Sequence, residues 1–451
     1  MGIDKFDVFV IGTGTAGKSV AKECVEAGLK VAIADNREFG GTCANRGCDP
    51  KKVLVGLTEI LNRSQNMLGK GIEKMPEYSW KDLQDFKKKF VDAVPAATEQ
   101  DLEALDIKMY HQSPKFLDES TISVEGKTVK FDKLVIATGM KPLELPIPGR
   151  ELAINSDDFL ELKELPESMI FIGAGYIGME FAHIAARCGA EVTIVDSEEA
   201  PLGNFDQNMV KYLKQSSEEL GIKFVMNAKV EEIDKLQKNL RVTADQNGKK
   251  IELKARCVVN AAGRVPSIDE LELKQGNVDF SKRGILVNKN LQSISNPNVY
   301  ACGDVSASEG LPLTPLASQE ARVVTANIMD LDRPHEYDYP PQPSVVFTLP
   351  NVASVGLNEK QAKEKGYDFR VKMSDASDWF NSKRINDKVY AYKTLVDNET
   401  NLVLGAHLVG NEASESINMF VMAMCGKLDC ATLKGMIFTY PSWSSDIKSM
   451  I

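Results

Sequence analysis

The sequence predicts an α/β protein in which two parallel βαβ regions are followed by a C-terminal α+β domain. A short apolar strand, a glycine turn and an amphipathic helix occur twice, first from Asp7 and again from Ser168. Each copy continues into a second apolar strand that ends in an acid, Asp35 or Asp196. After a proline-rich stretch at 334–343, apolar and polar residues alternate as they do in antiparallel sheets. The chain therefore combines two similar domains with a third of different construction.

Length and composition limit the class of protein. At about 150 residues per domain, 451 residues correspond to two to four domains. Lys and Arg number 54 against 64 for Asp and Glu, and a net charge of −10 opposes binding to nucleic acid or anionic lipid. The sequence contains no run of 18 apolar residues, so it does not predict a membrane-spanning helix. Because eight cysteines are too few for a disulfide scaffold and the N-terminus lacks a signal-peptide pattern, we expect a cytoplasmic protein.

The first glycine turn has the pattern of a dinucleotide-binding site. Gly12-Thr-Gly14-Thr-Ala-Gly17 follows a predicted strand and begins a predicted helix. The glycines allow a tight turn and close backbone approach, so that helix amides can face a pyrophosphate. Asp35, at the end of the next strand, is placed to bind a ribose hydroxyl.

The second glycine turn repeats this pattern and predicts a second dinucleotide. Gly173-Ala-Gly175-Tyr-Ile-Gly178 occupies the same place in the second βαβ unit, and its acid is Asp196. A 2′-phosphate needs Arg or Lys, whereas a 2′-hydroxyl suits a carboxylate. The run Asp196-Ser-Glu-Glu-Ala is acidic and contains no arginine. The sequence therefore favours NADH over NADPH.

Two cysteines lie in a setting that favours thiol chemistry. Cys43-Ala-Asn-Arg-Gly-Cys48 follows a glycine loop and precedes lysines and an apolar helix, and a helix N-terminus near lysines lowers a thiol pKa. Cys425 and Cys430 have the same spacing without those flanks, so they are interpreted as structural. Zinc at Cys43 and Cys48 would need two further ligands, and the four histidines are scattered singly. We therefore expect no metal.

Together these motifs resemble one known family. Gly40-Gly-Thr-Cys43-x4-Cys48-x-Pro50-x-Lys52, the two glycine turns, Ala-Thr-Gly139 and Val299-Tyr-Ala-Cys-Gly303-Asp304 are similar to the class I flavoprotein disulfide reductases. Glutathione reductase, dihydrolipoamide dehydrogenase and mercuric reductase belong to that family. The resemblance extends from Asp7 to about Asp446. It implies an FAD-binding domain at 1–150 and 264–333, an NAD(P)H-binding domain at 151–263, and a C-terminal dimerisation domain at 334–451, with two Rossmann-like folds in all.

The resemblance also implies roles for individual residues. Cys48 would be the charge-transfer thiol next to the flavin, and Cys43 the interchange thiol that attacks the substrate. Lys52 would pair with Glu180 near flavin N5, and Tyr176 would cover the nicotinamide pocket. The catalytic set would be Cys43, Cys48, Lys52, Glu180 and Tyr440. The implied cofactor-binding residues are Gly12, Gly14, Thr15, Ala16, Gly17, Asp35, Gly41, Thr42, Lys52, Thr138, Gly139, Gly173, Gly175, Tyr176, Ile177, Glu180, Asp196, Val230, Gly263, Arg264, Gly303, Asp304, Thr314, Leu316 and Ala317.

The C-terminal segment departs from the family pattern. Where the family has His-Pro-Thr-x-x-Glu, contributed by the partner subunit of a homodimer, this chain has Tyr440-Pro-Ser-Trp-Ser-Ser445. An imidazolium with a pKa near 6.5 protonates a leaving thiolate readily at neutral pH, whereas a phenol with a pKa near 10 is a weaker acid. The expected small-molecule acceptor is one whose leaving group needs no proton, such as a thiophilic metal ion, a low-pKa thiol or a quinone. Mercury is disfavoured, because the C-terminal cysteine pair of mercuric reductases is absent.

Three functions remain open on the sequence. The first is an NADH- and FAD-dependent oxidoreductase that reduces a small disulfide or electrophile through a redox-active Cys43–Cys48 disulfide. The second is an enzyme that transfers flavin electrons directly to a quinone or to oxygen and does not need the thiols. The third is a redox-responsive binding protein without sustained turnover.

Overall fold

The computed structural model describes residues 3–330 and 333–451. Met1, Gly2, Leu331 and Asp332, which fall inside the predicted FAD-binding segments, lie outside the described residues. Contacts between Cα atoms divide the chain into two compact units. The first comprises 1–53, 85–143 and 264–339, and the second comprises 54–84, 144–263 and 340–451.

The N-terminal third contains the first predicted βαβ unit. Its strands and helices are β1 (Asp4–Ile11), α1 (Thr15–Glu26), β2 (Val31–Ala34), α2 (Gly41–Arg46), α3 (Cys48–Asn66), α4 (Trp80–Val91), α5 (Val94–Ala104), β3 (Lys108–Tyr110), β4 (Lys115–Asp118), β5 (Thr121–Val124), β6 (Lys127–Ile136) and β7 (Met140–Pro142).

The middle of the chain contains the second βαβ unit and a hairpin region. Its elements are α6 (Ser156–Leu160), β8 (Ser168–Ile172), α7 (Tyr176–Arg187), β9 (Glu191–Val195), α8 (Gln207–Glu219), β10 (Lys223–Val225), β11 (Ala228–Leu236), β12 (Asn239–Gln246), β13 (Lys249–Ala255), β14 (Cys257–Asn260) and β15 (Arg264–Pro266).

The last part returns briefly to the first sheet and then forms a separate antiparallel sheet. Its elements are β16 (Phe280–Ser281), β17 (Gly284–Ile285), β18 (Val299–Ala301), α9 (Thr314–Met329), β19 (Ser344–Val346), β20 (Asn351–Gly356), α10 (Glu359–Glu364), β21 (Phe369–Asp375), α11 (Phe380–Lys383), β22 (Ala391–Asp397), β23 (Val403–Gly410), α12 (Ala413–Cys425), α13 (Cys430–Gly435) and α14 (Trp443–Met450).

The first unit is built around one large sheet with strand order β3-β2-β1-β6-β5-β4, to which β18 adds beside β6. β1 is parallel to both β2 and β6, and Val8 pairs with Val31. Alternate residues of β1 enter different cores: Phe9 packs on one face of the sheet and Val8 and Val10 on the other. Because both faces are covered, β1 is apolar and buried from Val8 to Ile11, as parallel strands usually are. The predicted strand–turn–helix–strand order is confirmed here.

The second unit contains three sheets. Four parallel strands in the order β10-β9-β8-β14 form the second predicted βαβ region, and β11-β12-β13 form an antiparallel sheet beside it. The C-terminal sheet has the order β19-β20-β23-β22-β21 and is antiparallel throughout, as the alternating sequence predicts. α12 packs on β20 and β23. The predicted fold class, two dinucleotide-binding folds and a C-terminal α+β domain, is therefore confirmed.

Candidate functional site

The first glycine turn joins β1 to α1 so closely that Gly12 and Gly17 have no room for a side chain. Gly12 has a φ of +108°, and a Cβ there would lie 2.3 Å from the carbonyl oxygen of Ala137. A Cβ on Gly17 would lie 1.9 Å from the carbonyl oxygen of Gly12. Gly14 is the N-cap of α1. The helix N-terminus is thus held against the strand end, where its amides and dipole favour a pyrophosphate.

Asp35 is held by Thr13, a residue that sequence reasoning did not single out. Asp35 Oδ2 accepts hydrogen bonds from the Thr13 amide at 2.8 Å and from the Thr13 hydroxyl at 2.6 Å. The Gly40 amide in turn donates to Thr13 Oγ1 at 3.1 Å. Thr13 therefore connects the glycine turn, the predicted ribose-binding acid and the loop before Cys43. The only trace of this role in the sequence is a hydroxyl residue between two turn glycines.

Most of the residues predicted to bind FAD line a cleft of about 300 Å³ in the first unit. Those that line it are Gly12, Gly14, Thr15, Ala16, Asp35, Gly41, Thr42, Cys43, Thr138, Gly139, Arg264, Gly303, Asp304, Thr314 and Ala317. Gly17 lies behind the turn, and Leu316 is buried on α9. Cys48, Lys52 and Gly263 do not line the cleft.

The cleft has unmet hydrogen-bonding capacity that suits an elongated polar cofactor. Thr138 Oγ1 is buried and, among the described residues, has no hydrogen-bond partner. Burial raises the pKa of Asp304, and the Arg264 guanidinium partly opposes that rise. Such groups can bind ribityl or ribose hydroxyls, and the glycine turn can bind a pyrophosphate. The residues present therefore fit FAD.

Glu320 holds the turn that carries Asp304. Its Oε2 accepts from the Gly303 amide at 2.6 Å, and its Oε1 accepts from Ser308 Oγ at 2.8 Å and from the Tyr339 hydroxyl at 2.6 Å. Burial raises the pKa of Glu320. This carboxyl group was not predicted, because it lies in an ordinary helical pattern of α9.

Cys43 and Cys48 lie on two successive helices and share one hydroxyl neighbour. Cys43 is half-buried on α2, and Cys48 is exposed at the first residue of α3. Thr314 Oγ1 donates to Cys43 Sγ at 3.3 Å and lies 4.0 Å from Cys48 Sγ. Both sulfurs are thiols in this structure. The two predicted redox residues and the start of α9 are thus in direct contact.

The two thiols are electrostatically unequal. The pKa of Cys43 lies well above its ordinary value, mainly because Cys43 donates a hydrogen bond to Cys48 and also because it is partly buried. The hydrogen bond from Thr314 partly opposes this rise. Cys48, which accepts the hydrogen bond from Cys43, lies at the N-terminus of α3, and a helix N-terminus favours a thiolate. The hydrogen bond between the sulfurs and the burial of Cys43 therefore favour the protonated form of Cys43.

Five of the other six cysteines are buried, and the sixth is exposed. Burial raises the pKa of Cys24 and Cys188 to about 12 and that of Cys257 to about 11. Cys302 and Cys430 are also buried, whereas Cys425 is exposed at the end of α12. The five buried thiols are therefore poor nucleophiles.

The second glycine turn, in the second unit, matches the first in detail. Gly173 has a φ of +110°, and a Cβ on Gly178 would lie 1.9 Å from the carbonyl oxygen of Gly173. Gly175 is the N-cap of α7. Asp196 Oδ2 accepts from the Ala174 amide at 2.5 Å, and its Oδ1 accepts from the Glu198 amide at 2.9 Å. The turn and its acid are thus brought together as predicted from the sequence pattern.

Tyr176 and Glu180 project from the helix that follows this turn. The Tyr176 ring packs edge-on against Phe205 with 5.3 Å between ring centroids, and burial raises the Tyr176 pKa. Glu180 is buried, and its Oε1 accepts from the Phe347 amide at 2.8 Å. Phe205 is a neighbour that sequence reasoning missed.

The remaining predicted residues are spread over both units. Ile177 lies on α7, Val230 lies on β11, and Gly263 has a φ of +125° before β15. Lys52 lies on α3 one turn after Cys48 and belongs to the first unit, whereas Glu180 belongs to the second. Their pairing stays a prediction.

Tyr440 is exposed in the single chain. Its exposed fraction is 77%, and it precedes a cis bond to Pro441. Ser445, where the family has glutamate, forms a capping box with Ser442 at the start of α14. The neighbouring Asp446 accepts hydrogen bonds from Asn381 Nδ2 at 3.1 Å and from the Tyr390 hydroxyl at 3.3 Å. The side chains of Ser445 and Asp446 therefore both help to hold α14 in place.

The described residues contain neither a metal-ligand cluster nor a membrane-spanning helix. Within 3–330 and 333–451 there is no group of three or more His, Cys, Asp or Glu that could hold a metal ion. The same residues contain no helix with the length and apolar character of a membrane span.

Comparison with known proteins gives matches over nearly the whole chain. Residues 6–321 match the pyridine nucleotide-disulphide oxidoreductase family, and residues 342–451 match the dimerisation domain of that family. Dihydrolipoyl dehydrogenase of Staphylococcus aureus is 30% identical over 442 residues, which cover 97% of this chain and 94% of that protein. Mercuric reductase of Lysinibacillus sphaericus is 30% identical over 450 residues, or 99% of this chain and 82% of that protein.

A solved structure is also similar over its full length. The HOCl-induced flavoprotein disulfide reductase RclA from Escherichia coli superposes with a TM-score of 0.87 at 28% identity, over 98% of this chain and 99% of that one. A Cu(II) complex of its C43S mutant gives a TM-score of 0.88 at 27% identity, over 99% of both chains. With its two glycine turns and its cysteine pair, the chain belongs to the pyridine nucleotide-disulphide oxidoreductase family, whose enzymes bind FAD and use a pyridine nucleotide.

Proposed function

We propose that this enzyme uses NADH to reduce a small disulfide or another thiophilic acceptor through Cys43 and Cys48. The observation that carries the proposal is the cluster of Cys43, Cys48 and Thr314 at the FAD cleft, where one hydroxyl contacts both sulfurs. Within that cluster, the hydrogen bond from Cys43 to Cys48 suits a thiolate at Cys48 and a protonated Cys43. This is the asymmetry that a charge-transfer thiol and an interchange thiol require.

The cofactor assignments follow the two glycine turns. Residues 1–150 and 264–333 would hold FAD, residues 151–263 would hold the nicotinamide nucleotide, and 334–451 would form the interface of a homodimer. Bound FAD would accept a hydride from the nicotinamide and deliver the electron pair to sulfur. Asp35, Thr138 and Asp304 would bind its hydroxyl groups, and the N-terminus of α9 at Thr314 would favour negative charge next to it.

The thiol steps can be written with the protein's own atoms. Once the pair is reduced, Cys43 loses its proton and attacks a disulfide acceptor, which forms a mixed disulfide and releases one thiolate. Cys48 then attacks Cys43 Sγ, which releases the second thiolate and restores the Cys43–Cys48 disulfide. Two electrons pass to the acceptor, the Cys43 proton passes to one leaving thiolate, and the other leaves as a thiolate or takes its proton from solvent.

The acceptor class is inferred from Tyr440, which the partner subunit would contribute. Its high exposure in the single chain is consistent with a position at a subunit interface. A phenol protonates a leaving thiolate less readily than an imidazolium does. We therefore favour acceptors whose leaving group needs no proton, including thiophilic metal ions such as the Cu(II) present in the complexes of RclA. A cytoplasmic location is part of this proposal, because the cysteine pair must be kept reducible.

Replacing Tyr440 should slow turnover of acceptors whose leaving thiol has a high pKa more than turnover of those whose leaving thiol has a low pKa. In Tyr440→Phe, turnover with an alkyl disulfide should fall about tenfold, because the proposed proton or hydrogen-bond donor to the leaving thiolate is lost. Turnover with an aryl disulfide of low thiol pKa should stay within about twofold. Steady-state rates of both substrates at pH 7 test this, with the exposed Tyr367→Phe as the matched control. An equal fall for both disulfides would rule out the proton-donor role.

The nicotinamide preference can be tested at Asp196. We expect NADH to reduce the enzyme at least about tenfold faster than NADPH at limiting concentration, since a 2′-phosphate would lie next to the Asp196 carboxylate. Asp196→Asn should lower that ratio by about tenfold. Stopped-flow reduction with both nucleotides measures this ratio. The control is Glu191→Gln, at the exposed first residue of β9, the strand that ends directly before Asp196. A wild-type preference for NADPH would contradict the assignment.

A further inference from the structure

The ammonium group of Lys393 is buried among three oxygen acceptors. Nζ lies 3.0 Å from Asp206 Oδ2 and 2.9 Å from Asn208 Oδ1, and it also contacts Glu359 Oε1. The side chains of Lys393 and Asp206 are only 5% and 7% exposed. An ammonium group has three protons, so its hydrogen-bonding capacity is filled. A buried charge of this kind persists only where paired groups replace its hydration.

These groups, which we call the Lys393 latch, join two parts of the second unit. Lys393 lies on β22 of the C-terminal sheet, whereas Asp206 is the N-cap of α8 and Asn208 lies in its first turn. Opposite Lys393 on β23, His407 is hydrogen-bonded to Ser354 Oγ and to the carbonyl oxygen of Leu357. Burial lowers the His407 pKa, so the positive charge of the cluster is on Lys393.

The α8 end of the latch is continuous with the second glycine-turn site. The segment 196–206 contains no helix or strand and runs from the ribose-binding acid to Asp206. Within it, the Leu202 amide donates to the carbonyl oxygen of Ala174 in the glycine turn at 3.0 Å. Phe205, directly before Asp206, packs against Tyr176. The position of Asp206 therefore constrains two side chains at the predicted nicotinamide pocket.

We infer that Lys393 is a positioning residue for the pyridine nucleotide. By fixing Asp206, it holds segment 196–206 and the Phe205–Tyr176 contact in the geometry that binds the nucleotide. The sheet of the dimerisation domain thus contributes to nucleotide affinity without contacting the nucleotide. This inference rests on the proposed assignment of the second glycine turn to the nicotinamide nucleotide. The competing explanation is a cross-link that only stabilises the fold.

Direct binding to the oxidised, FAD-loaded enzyme separates these explanations. In Lys393→Met, the dissociation constant of NAD⁺ by calorimetry and the KM for NADH should both rise at least about fivefold, the lower end of usual coupling between sites. The kcat at saturating NADH should stay within about twofold, because the thiols and the FAD cleft lie in the other unit. Lys393→Arg, which keeps the charge, should recover most of the affinity.

Lys372→Met is the matched control, because Lys372 is exposed on the neighbouring strand β21 and donates to the Ile451 carbonyl oxygen. An unchanged NAD⁺ dissociation constant in Lys393→Met, together with a lower melting temperature, would leave only a structural cross-link and overturn the inference. If Lys393→Met does not fold, Asn208→Ala removes one neutral acceptor. A rise of at least about twofold in its dissociation constant supports the latch, and an unchanged value contradicts it.

Failure of the proposed function would be visible in the unmutated enzyme, not only in the Lys393 and Asn208 variants. If the unmutated enzyme showed no saturable binding of NAD⁺ or NADH, the assignment of the second glycine turn would be wrong, and the inference would fall with it.

Discussion

Replacing Cys43 by serine should lower NADH-dependent reduction of a disulfide acceptor by about a thousandfold, because a hydroxyl is a far weaker nucleophile than a thiol at neutral pH. The structure places Cys43 in contact with Thr314, and a hydrogen bond to Cys48 together with burial raises the Cys43 pKa. Cys43 is therefore positioned as the sulfur that must be deprotonated and used for attack. Reduction of the enzyme by NADH should persist, because that step does not use the Cys43 sulfur.

Two measurements on the same variant check this. Steady-state turnover with the disulfide gives the loss, and anaerobic stopped-flow absorbance with NADH gives the retained step. Cys425→Ser is the control, since Cys425 is an exposed thiol on α12. Full turnover in a double Cys43→Ser, Cys48→Ser protein would instead support direct electron transfer to a quinone or to oxygen. A wild-type enzyme that NADH reduces once, without sustained turnover on any acceptor, would favour the redox-responsive binding protein.

Gly41→Ala should yield protein with little FAD. Gly41 has a φ of +77°, and a Cβ there would lie 2.3 Å from Gly14 Cα. The left-handed conformation costs an alanine roughly 1–2 kcal/mol, and relief of the backbone clash would move the loop before Cys43 away from the first glycine turn. Because Gly41 and Gly14 both line the FAD cleft, we expect FAD affinity to fall at least about tenfold.

The ratio of flavin to protein absorbance in the purified variant measures this loss. Gly56→Ala is the control, because nothing lies within 4 Å of a Cβ at this position in α3. Replacing a helical glycine with alanine should leave the FAD content unchanged and increase stability slightly, by up to about 1 kcal/mol. A full complement of FAD in Gly41→Ala would show that the close approach of the two glycines does not form the cofactor site.

The features that the sequence predicts well are local in the chain. A glycine turn between a strand and a helix depends on a few successive residues, so both turns and their acids could be placed before the structure was known. The C-terminal antiparallel sheet was predicted from alternation for the same reason. The antiparallel sheet β11-β12-β13 was not predicted, because its strands are partly exposed and carry many charged residues.

The features that it predicts poorly depend on contacts between distant segments. The resemblance implies only a cofactor-binding role for Thr314, yet its hydroxyl contacts Cys43, which is 271 residues away in the chain. Asp446 beside Asn381 is a partly buried polar pair, and Lys393 beside Asp206 is a buried one. Hydrophobic periodicity does not indicate which polar residue becomes buried or where its partner lies.

The central claim is that Cys48 holds a thiolate next to the flavin and that Cys43 attacks the acceptor. Its most direct test is the absorbance spectrum of the enzyme after anaerobic reduction by one equivalent of NADH. The wild-type enzyme should then develop a long-wavelength charge-transfer band, because reduction of the disulfide leaves a Cys48 thiolate next to oxidised flavin. Cys43→Ser has no disulfide to reduce, so it should show the band before NADH is added. Cys48→Ser should show no such band. A band that persists in Cys48→Ser would contradict the assignment of the two thiols.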